Sequence, residues 1–222
     1  MRFYDRLIAD TRSDRDEFLA IPVVRSALVE GVEEPLYRRF LEQAYHHVRH
    51  TCPLFERAYA RCGPDEAVLA DALGRYIDEE RGHDAWILED IADLGGDAAR
   101  VQAGRPGDAC AAMCDHAYRL IDEAGPHAVL GMVHVLEGLS ALLAEHIAER
   151  IKSRIAQANA SAFRYLTSHG RLDASHVTFF AELLDAIDGP SVRRTVIQSA
   201  RQFYGLYGAI FRELGSEASH VS

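Results

Sequence analysis

The sequence predicts an all-α fold, a single domain of about seven to nine helices packed as a bundle. Apolar residues recur at three- and four-residue spacing through most of the chain, and no segment alternates with period two for long enough to make a strand. Gly-Pro and Gly-Gly pairs punctuate the helical stretches, with no internal repeat or linker between them. At 222 residues such a chain buries a sizeable core without needing disulfides or a structural metal.

The elements follow in order. "EEPLYRRFLEQAYHHVRHTCPLFERAYARC" (33–62) carries apolar or small residues at 36, 40, 44, 48, 51, 55 and 58, a helical stripe with Pro35 suited to its first turn. Pro53 lies inside that pattern and predicts a kink or a break. "GPDEAVLADALGRYIDEERGHDAWILEDIADLGG" (63–96) opens on Gly-Pro-Asp and stops at Gly95-Gly96. "DACAAMCDHAYRLIDEA" gives another helix, broken by Gly125-Pro126. Residues 127–156 then form a long and unusually apolar helix. Two more helices fit 172–188 and 191–214, divided by Gly189-Pro190, and the tail from about 215 is expected to be irregular.

Charge and cysteines narrow the function. A net charge of −10 and a pI near 5.5 argue against nucleic acid or an anionic membrane as the main partner. Cys52, Cys62, Cys110 and Cys114 form no zinc-type C-x2-C, and reduced, mostly buried thiols in a cytoplasmic protein are expected. The N-terminal stretch is charged throughout, unlike a signal peptide, and "AVLGMVHVLEGLSALLA" is interrupted by His134 and Glu137, so no membrane span is expected.

Three features carry chemistry. Glu137 sits in a helix that is apolar on nearly every face, where an isolated ionised carboxylate costs many kcal/mol and must be protonated, paired or bound to a cation. A buried Glu–His or Glu–Arg pair is the plainer alternative, with His134 one turn away. In "YIDEERGHDAW", Glu80 and His83 make Glu-x2-His, a recurrent unit of carboxylate-bridged iron sites in helical bundles; Glu79, four residues before His83, is an alternative ligand. In "LTSHGRLDASHVTFF", His169, Asp173 and His176 fall at spacings of four and three, one face of a helix. Ser168 and Gly170 weaken helix formation there, so the segment is expected to be partly irregular and ordered by what it binds. Three carboxylates and three imidazoles suit iron or manganese better than zinc.

This pattern resembles the haem-oxygenase-like diiron oxidases and oxygenases, whose fold also hosts the thiaminase (TenA) and pyrroloquinoline-quinone synthase (PqqC) families. Their metal motif is a Glu and a His on one core helix, a Glu on a second and His-x3-Asp/Glu-x2-His on a third, in the order found here. Some members carry the first Glu seven residues before the His, a position held here by Tyr76. The resemblance implies a haem-oxygenase-like bundle, with Glu80, His83, Glu137, His169, Asp173 and His176 holding two iron ions. It also implies dioxygen as co-substrate and a small organic substrate, amino-acid-like or fatty-acid-like, undergoing desaturation, N-oxygenation or oxidative C–C cleavage. A homodimer fits such a fold. Tyr45, His47, Trp86, Met132 and His134 are candidates for the pocket. The alternatives are a metal-free enzyme on the same fold, or a non-catalytic binding protein. The metal-free enzyme would be a thiaminase-type hydrolase using Cys110 or Cys114 with Glu213, or a cofactorless oxidase.

Overall fold

The structure is a computed structural model that describes residues 2–155 and 160–219, with the side chains of 160, 169–175, 218 and 219 outside that description. Three short helices, α1 (Phe3–Asp10), α2 (Arg12–Leu19) and α3 (Pro22–Val29), precede α4 (Glu34–Val48) and α5 (Thr51–Tyr59). Next come α6 (Ala67–Glu80), α7 (His83–Asp93), α8 (Ala98–Ala103) and α9 (Asp108–Ala124). The long helices α10 (Val129–Arg154), α11 (Arg164–Ala186) and α12 (Pro190–Ser219) complete the fold. Among the described residues there is no strand, as the periodicity requires.

The helices outnumber the expectation because short helices are added at the N-terminus and at Ala98–Ala103, and because both 33–62, where a break was expected, and 63–96, where none was, are divided. The 33–62 stretch divides at Arg49–His50, and Pro53 falls in the first turn of α5, where its missing N–H is not needed. The 63–96 stretch divides at Arg81–Gly82, where Gly82 has φ +89°, a left-handed conformation that favours glycine. Two other expectations are corrected. Helix α11 starts at Arg164 and runs without interruption through Ser168 and Gly170, so its backbone is regular where irregularity was expected. A mid-helix glycine costs only about 1 kcal/mol, and packing along α10 outweighs it. At the other end, α12 continues to Ser219, held by an ion pair between Arg39 and Glu217.

Helix α10 is the axis of the molecule, packed against α3, α9, α11 and α12. Its first half (Val129, Leu130, Met132, Val133, Val135, Leu139) joins one core with α5, α6, α9 and α12. Its second half (Ala144, Ala148, Ile151) joins another with Tyr37, Leu41, Ile87, Ile91 and Phe163. Between the two cores, Leu136, Glu137, Ser140 and Leu143 line a cavity. By length and composition 126–154 is the one stretch among the described residues long and apolar enough to cross a membrane, a test that a core helix also passes, and more than half of its apolar window is buried inside the bundle.

Two contacts pin α10 in place. Gly131 lets α12 approach: a Cβ there would overlap the Ser199 side chain and lie 2.5 Å from the Ala200 nitrogen. Ser199 Oγ donates to the Ala128 carbonyl at 2.6 Å. His134, expected in the pocket, instead faces the α1–α2 corner, and its Nε2 lies 3.2 Å from Thr11 Oγ1. The Thr11 hydroxyl spends its one proton on the Leu7 carbonyl at 2.8 Å, so His134 must donate, as the neutral Nε2–H tautomer. Burial, then the charge of Arg15, pushes His134 down to about 4.

Two predictions follow from these contacts. Gly131→Ala should cost about 2 kcal/mol by overpacking the α10–α12 crossing, measured as a lower urea midpoint at unchanged m. A His titrating near 4 when folded and near 6.5 when unfolded gives stability that is present above 6.5 and lost as pH falls towards 4, about 3 kcal/mol across that window. His134→Gln should flatten the stability slope between those pH values in paired urea titrations.

Candidate metal centre

The site is assembled from helix ends and the middle of α10. Glu80 is the last residue of α6 and His83 the first of α7, and both are buried. Because the chain turns at Gly82, the two are not stacked on one helix face as Glu-x2-His would place them. They meet across the break instead, with His83 Nδ1 2.9 Å from Glu80 Oε2. Glu80 thereby sits beside the N-terminal end of α7, whose dipole favours a negative charge. The His83 ring stacks on Trp86 at a centroid distance of 4.2 Å.

Glu137 from α10 and His176 from α11 converge on Glu80, with one ligand atom from each of the three lying within 4.8 Å of the others. Donors bound to one transition metal at about 2.1 Å lie no more than about 4.2 Å apart, so the three groups need only small shifts to close on an ion. Glu79 is not in this trio. It stands on the far side of His176, 3.1 Å from Nε2, and its other oxygen accepts a 2.8 Å hydrogen bond from Arg75 Nε. A carboxylate beside an imidazole is an outer support of the kind ligating histidines use, here at ion-pair distance. Between Glu79 and Glu80, the geometry therefore favours Glu80 as the ligand.

Tyr76 packs edge-on to His176 at 6.1 Å. It is fully buried, and its hydroxyl has no hydrogen-bond partner among the described residues. Burial, and after it the charges of Glu137, Glu79 and Glu80, raise its pKa far above the usual phenol value, so it stays protonated. Two carboxylates, an imidazole and an orphaned phenol in an apolar interior are a donor set that fits a cation, and mixed oxygen and nitrogen donors suit iron or manganese. His169 and Asp173, the other two ligands expected from the sequence, have side chains outside the described residues.

The cluster opens into a cavity of about 160 Å³ whose walls are almost entirely apolar. Among the described residues its charged lining is Glu80 and Glu137, with no Lys or Arg. The α10 wall is a single stripe, Met132, Leu136, Ser140, Leu143, Ile147 and Ile151, spanning ~28 Å at the helical rise per residue. Of the five pocket residues expected from the sequence, His47 and Met132 line this cavity. Tyr45, Trp86 and His134 do not. Tyr45 belongs to the second core under the Arg49 guanidinium, and Trp86 backs His83 from outside the cavity. Phe40, Ser140, Tyr207 and Phe211 line the cavity and were missed, because a helix that is apolar all round does not declare which face is hollow.

The thiol alternative finds little support in the geometry. Cys110 and Cys114 are buried in α9, and neither lines the main cavity. Glu213 is occupied with the start of α9, accepting the Ala109 N–H at 2.9 Å. The Cys110 thiol is pushed up by its hydrogen bond with Cys114 and by burial, which keeps it protonated and unreactive.

Comparison with known proteins agrees with the fold and with the chemistry of the cluster. A domain of unknown function with a haem-oxygenase-like fold from Shewanella denitrificans OS217 superposes with a TM-score of 0.87 at 18% identity, covering 97% of this chain and 93% of that one. A TenA homologue from Pseudomonas syringae pv. tomato DC3000 superposes with a TM-score of 0.80 at 12% identity, covering 96% and 92%. Haem oxygenase-1 from Synechocystis sp. PCC 6803, solved with haem, gives 0.76 at 15% identity, covering 100% and 96%. No curated protein matches the sequence. Residues 38–208, which include every candidate ligand discussed above, match the profile of the iron-containing redox enzymes with a haem-oxygenase-like fold, and the chain belongs to that family.

Proposed function

We propose that the protein is a non-haem diiron enzyme that uses dioxygen to oxidise a small organic substrate with an extended aliphatic part. The observation that carries this reading is the convergence of Glu80, Glu137 and His176, two of which, Glu80 and Glu137, line a mostly apolar cavity. In the proposal His83, His169 and Asp173 complete the ligand set. Positions 169 and 173 lie on α11 two turns and one turn before His176, in the register that a helical ligand row requires.

Iron, when bound, supplies dioxygen activation. The protein's own residues do the rest. Glu80 and Glu137 neutralise the metal charge, and the Arg75–Glu79–His176 chain fixes the imidazole. Tyr76 presents a protonated hydroxyl beside the carboxylates, a donor that can deliver a hydrogen bond without a change of charge. The apolar walls exclude water and hold the substrate against the cluster.

The cavity also favours one of the two substrate types that the resemblance implies. An amino-acid zwitterion brings two charges and little apolar surface to a lining that, among the described residues, is mostly apolar. A fatty-acid-like chain buries its methylenes along the α10 stripe, at about 0.8 kcal/mol each.

Anaerobic loading with ferrous iron should give about two ions per chain by elemental analysis, the count that six mixed ligands support. Glu137→Ala and His176→Ala should each weaken binding by more than about 100-fold, beyond the usual effect of an outer-shell change. Wild-type protein that takes up no iron, or variants that retain both ions, would refute the assignment. With loaded protein, oxygen consumption should be stimulated by saturated fatty acids of suitable length and not by amino acids. Ser140→Arg should abolish that stimulation without removing iron, and stimulation by amino acids alone would reverse the substrate choice.

A further inference from the structure

Among the described residues Asp90 is the most deeply buried acidic side chain, with no measurable exposure, and it is not part of the cation cluster. It lies on α7, seven residues after His83, and reaches across to the start of α11. Its Oδ2 accepts the Tyr165 N–H at 2.8 Å and its Oδ1 the Arg164 N–H at 3.1 Å. The Arg164 guanidinium stands 3.5 Å from the same Oδ1 and also pairs with Glu89 at 3.0 Å and Asp93 at 3.4 Å.

The first N–H groups of a helix have no partners within the helix and need an acceptor. Helix α11 cannot supply one itself, because its N-cap residue is Phe163 and its first turn holds no acidic residue. Asp90 supplies it from another helix, and with it a negative charge at the positive end of the α11 dipole. The capped end lies 12 residues, ~18 Å of helix, before His176. The intervening Ser168 and Gly170 lower the intrinsic helix propensity of that stretch. Asp90 is fixed to α7, which begins at His83, while α11 carries His176. One buried carboxylate therefore sets the position of one ligand-bearing helix against another.

We infer that Asp90 is a positioning residue for the cation centre, clamping the N-terminus of α11 to α7 so that the histidines of the two helices are held in register before any ion arrives. The inference rests on the metal-centre reading above and adds a residue outside the ligand motif. Its arrangement resembles an outer-shell support carried through a helix rather than through a single hydrogen bond.

The test compares wild type, Asp90→Ala, Asp90→Asn and Asp97→Ala. The last removes an ordinary N-cap, Asp97 Oδ1 accepting the Arg100 N–H of α8 at 2.9 Å, and so controls for loss of stability alone. Binding of Co(II) to metal-free protein is followed by its visible ligand-field spectrum, with hydrogen exchange of the α11 amides measured in parallel. Asp90→Ala should bind Co(II) about 10- to 100-fold more weakly, with an altered spectrum and faster exchange across 164–176. Asp90→Asn keeps one acceptor oxygen and should restore most of the spectrum and part of the affinity, which also covers the case in which the alanine variant does not fold. Asp97→Ala should bind as wild type. If Asp90→Ala binds Co(II) with wild-type affinity and spectrum, or if Asp97→Ala loses as much, the clamp is refuted while the metal centre stands. If wild type binds no Co(II) or ferrous iron, the metal-centre reading fails and the positioning role falls with it.

Discussion

Two carboxylates from different helices face each other inside an apolar bundle, and that juxtaposition constrains everything around it. Like charges in a medium of low dielectric repel strongly, and here Glu80 is buried and Glu137 half-buried within one cluster. The fold tolerates the pair because polar side chains and a helix end are set beside it. The imidazoles of His83 and His176 are in contact or close by, and the α7 N-terminus points its dipole at Glu80. A bound cation would finish the compensation. Without the family's iron chemistry such an arrangement would be a costly way to build a core, since packed hydrophobic residues stabilise as well or better.

The surrounding architecture serves that pair. Helix α10 carries Glu137 at the level where the two cores part, so the carboxylate meets a cavity instead of close-packed side chains. Glu80 and His83 sit at helix ends, where the backbone turn sets their direction, and His176 lies deep in α11, where its direction depends on how the whole helix is seated. The Arg75–Glu79 pair and the Asp90 cap thus act on different scales. One fixes a ring, the other a helix.

The helical class, the boundaries at Gly125-Pro126 and Gly189-Pro190, and the core position of α10 were all legible in the sequence, because apolar periodicity and chain-breaking dipeptides are local signals. The identities of Glu80, His83, Glu137 and His176 were legible for a different reason: charged and imidazole groups stand out against apolar helices. Which face of α10 is hollow was not legible, since it depends on what α3, α4 and α12 fail to fill. His134 was misread as a pocket residue because its partner Thr11 is 123 positions away, beyond any spacing rule. Asp90 left no trace in any motif, as its donors belong to a helix that begins 74 residues later. The regularity of α11 was underestimated for the same reason, because its cap comes from elsewhere in the chain.

Gly82 has one more implication. A side chain placed there would touch nothing within 4 Å, so the only penalty is the local backbone strain of a positive φ, about 1–2 kcal/mol. Yet the same φ determines how the last residue of α6 faces the first of α7. Stability and coordination geometry are therefore separable at this hinge: a chain altered there would melt only a few degrees lower, yet if the backbone escaped the strain by changing φ its two donors would no longer meet, a defect that a stability assay alone would pass over.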